Sequence, residues 1–123
     1  MPDLKALIRV TLIGAGLQVA MVLAGHFVAW IALHVFMAGG LAISALTGFL
    51  YAYDVARGYA NGMIGGTVSG GLCALIGIAI SVALGDTEAG VLVFGTLGSC
   101  VAGALAGAVG QLSARGPRPA GHA

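Results

Sequence analysis

Apolar residues in this chain come in long, nearly unbroken runs, without the three-to-four-residue alternation of a half-buried surface helix. Four runs cover residues 7–25, 31–53, 62–84 and 89–112, with short turn-like segments at 26–30, 54–61 and 85–88 between them. About 20 consecutive apolar residues, helical at about 1.5 Å per residue, cross the hydrocarbon core of a bilayer. Hydrocarbon offers no partner to a backbone N–H or C=O, so each run is driven into a helix that satisfies its own backbone. The pattern predicts an all-α integral membrane protein. Short connections make successive helices antiparallel neighbours. The expected fold is therefore a four-helix up-down-up-down bundle, a single transmembrane domain over 1–112. A short, disordered cytoplasmic tail carrying Gly, Pro and Arg is expected at 113–123.

Polar residues orient this bundle. Lys5 and Arg9 precede or open the first run, Arg57 lies between the second and third, and Arg115 and Arg118 follow the fourth. All five fall on one side of the predicted membrane, which the positive-inside rule makes cytoplasmic, so the termini are N-in and C-in. Tyr51, Tyr53 and Tyr59 are expected at the inner boundary, and Phe27 and Trp30 at the outer one, where amphipathic rings settle. The first run is too long for a cleaved signal peptide, and no small-residue cleavage site follows it. With no organelle-type presequence in view, a bacterial inner membrane is the expected location.

Composition sharpens the picture at two points. Hydrophobic residues make up 59% of the chain and charged ones 7%. A soluble domain, with roughly 25% charged residues, has the polar exterior that this chain lacks. A net charge of +1 gives nucleic acid nothing to hold. The 22 glycines, with no G-X-Y period, suit helices that pack backbone to backbone. Small residues recur at four-residue steps in every run: Gly16, Ala20 and Ala24; Gly40, Ser44 and Gly48; Gly62, Gly66, Gly70 and Ala74; Gly95, Ser99, Gly103 and Gly107. Counting depth from Cys73 and Cys100, each near the middle of its run, predicts that Gly66 faces Gly107 and Gly70 faces Gly103. The third and fourth helices should then touch most closely in the cytoplasmic half.

Candidate chemistry is sparse. No Asp, Glu, Lys or Arg occupies the centre of a run, which disfavours a pump or proton-coupled exporter. A small multidrug exporter would need a central Glu in the first helix, and a fluoride channel an Asn- and Phe-rich pore pattern. Neither is present. Gln18 is the most polar central residue, expected to make an interhelical hydrogen bond. Thr67, Ser69, Thr96 and Ser99 are each able to bond back to their own helix. His26, His34, Asp86 and Glu88 share the outer side and are weak candidates for a divalent metal, no firm metal site being expected. On the inner side Asp54 and Arg57 stand three residues apart and are expected to pair. Cys73 and Cys100 lack metal or redox spacing. No catalytic set, no cofactor motif and no HExxH occurs, so neither catalysis nor a cofactor is expected.

The surplus of close-packing faces over chemical sites points to a protein that works by helix association in the bilayer, as a homo-oligomer or an accessory subunit of a larger membrane protein. The alternative is a passive channel or small-solute transporter formed by an oligomer and lined by Gln18, Thr67, Ser69 and Thr96.

Overall fold

The computed structural model of the protein describes residues 3–28, 30 and 35–114. They form four helices: α1 (Leu4–Phe27), α2 (Phe36–Val55), α3 (Tyr59–Ala83) and α4 (Gly90–Ala114). At 20 to 25 residues each, all four are long and apolar enough to cross a membrane, as in a multi-pass membrane protein. The helices begin or end a few residues from where hydropathy alone puts them. α1 starts at Leu4 because Asp3 caps it, its Oδ1 accepting from Ala6 N at 3.1 Å. α4 carries on through Ser113 and Ala114, residues assigned by hydropathy to the tail. Arg115, Arg118 and His122 lie outside the described residues, as does His34.

The connection between α2 and α3 is shorter than expected, and that between α3 and α4, residues 84–89, is slightly longer. α2 runs to Val55 and α3 starts at Tyr59, so only residues 56–58 join them. Ala56 takes a left-handed conformation at φ 50°, and Gly58 has φ 107°, which a side chain would strain. After α3, Gly85 at φ 81° ends the helix with Gly85 N donating to Val82 O and Asp86 N to Ser81 O, both at 3.0 Å. This crossed pair of bonds is the Schellman ending that glycine favours.

α2 and α3 form the middle of the bundle. Each touches the other and both outer helices, whereas α1 and α4 share no contact face. The start of α1 lies beside the end of α2, with Asp3 N donating to Tyr51 Oη at 2.8 Å and Arg9 Nη2 lying 2.8 Å from Asp54 Oδ2. The end of α1 lies beside the turn after α3, where His26 Nδ1 meets Asp86 Oδ2 at 2.7 Å. The bundle thus has an arginine end, with Arg9 and Arg57, and a histidine end, with His26, Asp86 and Glu88.

One expectation at the arginine end needs correction. Asp54 pairs with Arg9, and Arg57 lies 3.5 Å from Asp3, so the Asp54–Arg57 pair does not form. The i, i+3 spacing brings side chains together only on a helix, and left-handed Ala56 breaks the helix between them. Tyr51, at the same end, turns its side chain inward. It is fully buried, its ring seated on the bare backbone of Gly65 and its hydroxyl donating to Asn61 Oδ1 at 2.9 Å. Phe27 and Trp30 are well exposed.

Candidate functional site

Glycine sets how near the helices come in the arginine half. A Cβ on Gly66 would collide with the carbonyl oxygen of Gly103, one on Gly107 with that of Gly62, and one on Gly48 with that of Gly103. Gly70 would meet Ser99 O at 2.9 Å and Gly103 Cα at 3.2 Å, and Gly110 would meet Phe49 O at 2.5 Å. The expected Gly70–Gly103 neighbours therefore touch, but Gly66 and Gly107 do not pair with each other. Gly66 pairs with Gly103 and Gly107 with Gly62, a slip of about one turn in register. The cause is the assumption that Cys73 and Cys100 lie level. The Cys100 thiol sits instead over Gly71, 2.5 Å from where its Cβ would be.

The stripe expected on α1 is on the wrong face. Gly16 and Ala20 are exposed, and a Cβ on Gly16 would meet nothing within 4 Å. The buried face of α1 is Ala6, Val10, Gly14, Gln18, Val22 and Gly25. Gly14, overlooked in the sequence, admits Thr47 of α2 and Cys73 of α3 against its backbone.

Toward the histidine end the helices part around a cleft of about 670 Å³, with walls from all four. Met21, Phe36, Met37, Ile78, Val91 and Phe94 make it mainly apolar. Gln18 forms part of its floor, and Ser81, Thr87 and Glu88 border it toward the interhelical turn. Ligand-sized clefts of about 300–1,000 Å³ with a few placed polar groups are the usual form of a small-molecule site.

Gln18 is 3% exposed. Its Nε2 donates to Gly40 O at 3.1 Å and lies 3.5 Å from Ser44 Oγ and 3.9 Å from Cys73 Sγ. Ser44 in turn donates to Gly70 O at 3.1 Å, and the Cys73 thiol to the same carbonyl at 3.3 Å. The amide orientation follows from chemistry: reversed, Oε1 would confront the Gly40 carbonyl, and two acceptors repel. Placed this way, Oε1 accepts no hydrogen bond among the described residues, and it is not sealed from the cleft. Ser44 is visible in the sequence only as a small residue. Its position one turn beyond Gly40 is the signal for its place beside Gln18.

The other proposed pathway residues do not join Gln18. Thr67 bonds Met63 O at 2.8 Å and Ser69 bonds Gly66 O at 3.4 Å, each within its own helix. Thr96 departs from that expectation, its buried hydroxyl having no partner among the described residues. Of these four, Gln18 alone borders the cleft. At the histidine end, His26 and Asp86 pair while Glu88 is exposed and outside the pair. Among the described residues no three His, Cys, Asp or Glu side chains group as a metal would require. Cys73 and Cys100 are free thiols.

No protein-family model, curated protein or solved structure matches the chain.

Proposed function

We propose that this is a multi-pass membrane protein of up-down-up-down topology, both termini cytoplasmic, that acts by associating through α1 with another transmembrane helix. The partner is a second copy of the chain or a larger membrane protein to which it is an accessory subunit. One observation carries the reading. Small-residue stripes on α2, α3 and α4 are taken up by contacts inside the bundle, but the Gly16–Ala20 stripe on α1 faces outward with open space above Gly16. Helices in lipid gain nothing from hydrophobicity against one another and associate where small residues let backbones approach. The topology rests on the five basic residues and on the contacts of Asp3 with Tyr51 and His26 with Asp86. The glycine contacts of Gly66 and Gly103 supply the packing inside it. A passive channel draws less support, because its four lining residues do not share one path.

Replacing Gly16 and Ala20 together by Ile tests the association. The open space over Gly16 leaves the monomer undisturbed, so the bundle should keep its thermal stability. Native mass spectrometry of protein extracted gently from its own membrane should show a stable assembly for the wild type and a bare monomer for the variant. An assembly that persists unchanged in the variant, or a wild type that is itself a monomer, refutes the reading.

A further inference from the structure

We infer that the cleft at the histidine end binds an amphipathic amine, a molecule with an apolar body and N–H donors. The site is separate from the association face on α1 and does not depend on it. Gln18 provides the first argument. Gln18, a cleft-lining residue only 3% exposed, has an amide oxygen with no donor among the described residues. An acceptor at the floor of a mainly apolar cleft is poorly served by solvent, and a ligand N–H would give it a partner.

The rest of the lining narrows the class. The walls are apolar, with two Phe rings and two Met thioethers, surfaces that accept an organic body and favour a nearby cation. At the rim stands the Glu88 carboxylate, in no ion pair among the described residues. Asp86 beside it is engaged by His26. The chain has no Lys or Arg between residues 10 and 56 or between 58 and 114, so none of the cleft segments carries a fixed positive charge. The cleft therefore offers acceptors at floor and rim, a few hydroxyls and, among the described residues, no Lys or Arg. Anionic ligands find no Lys or Arg to neutralise them, whereas an ammonium at Glu88 with an N–H reaching Gln18 satisfies both acceptors. From Gln18 to the end of α1 at Phe27 is roughly 13 Å of helix, a span that a drug-sized amine covers.

Dansylcadaverine has this form: a fluorescent apolar ring, a sulfonamide N–H and a terminal ammonium. Its emission in phosphatidylcholine nanodiscs with and without the protein reads binding directly, and its N-acetyl derivative removes the charge alone. Saturable binding to the wild type is expected, weakened about threefold by acetylation or by Glu88→Gln, as for an exposed charge pair. Gln18→Met should weaken it about tenfold through loss of the floor acceptor. Gly98→Leu provides a variant that folds, since its Cβ would meet only Leu41 Cδ2 at 3.7 Å, and it should abolish binding by filling the cleft. The inference is overturned if wild type and Gly98→Leu give the same signal as empty nanodiscs. It is equally overturned if the amine and its acetyl derivative bind alike, which would make the cleft a groove for lipid chains.

Discussion

The two halves of this bundle are built from the same kinds of residue and pack in opposite ways. In the arginine half, the carbonyls of Gly62, Gly66 and Gly103 lie where a Cβ on the facing glycine would be, and the Tyr51 ring fills the space over Gly65. In the histidine half, Gly39, Gly77 and Gly95 are covered by the side chains of Met21, Gln18 and Ile78 and by no facing backbone, Gly90 and Gly98 have open space or ordinary contact, and the helices stand apart around the cleft. Glycine therefore does not by itself bring helices together. It permits close approach, and the approach occurs only where glycines on neighbouring helices fall at the same level. Gly48 and Gly66 both meet Gly103, a coincidence of three helices with no counterpart in the other half.

This contrast is broken most directly by adding bulk to each half. Gly66→Leu pushes a side chain into the Gly103 backbone, which cannot give way as a flexible side chain would. Overpacking ordinarily costs about 1–3 kcal/mol and sometimes more, and here the top of that range or beyond is expected, seen as lost folding in denaturant titrations of the detergent-solubilised protein. Gly98→Leu in the same titration should leave stability within about 0.5 kcal/mol, the range of a substitution that disturbs no contact. Equal losses for the two would mean that the halves do not differ in packing.

A smaller effect sharpens the role of Tyr51. Tyr51→Phe keeps the ring on Gly65 but removes the bonds to Asp3 N and Asn61 Oδ1. A loss of about 1–2 kcal/mol is expected, with faster amide exchange at the start of α1. If the first turn of α1 exchanges no faster, that hydroxyl does not tether it. The smallest change belongs to the surface. Arg9→Ala removes an exposed pair with Asp54 and should cost less than about 1 kcal/mol, an effect that salt diminishes. A loss insensitive to salt would assign Arg9 a different role.

Much of the candidate site was hidden for a physical reason that Gln18 and Gly16 illustrate. Gln18 stood out in the sequence because a polar side chain amid hydrocarbon is rare, and its interhelical bond to Gly40 could be anticipated in kind. That its oxygen would face a cleft could not, since the cleft is a space left between four helices. Gly16 and Gly14 are chemically the same and only two residues apart, yet one faces outward and the other lies against Thr47 and Cys73. A helix on a soluble protein reveals its inner face by hydrophobic contrast. Here the outward residues Leu12, Leu97 and Leu105 are as apolar as anything inside, so that contrast vanishes.

Hydropathy and charge, which are properties of the chain read in order, were enough to determine four membrane-length helices and their approximate ends. Lipid demands a run of given length, and a helix is how a single run satisfies its backbone there. The tertiary structure alone decided which face of α1 turns inward, that Gly66 meets Gly103 and not Gly107, that Asp54 takes Arg9 as its partner, and that the histidine half opens. Each of these depends on rotation and sliding of one helix against another. Those two degrees of freedom are set by the fit of small residues across an interface, and that fit does not exist until the helices meet.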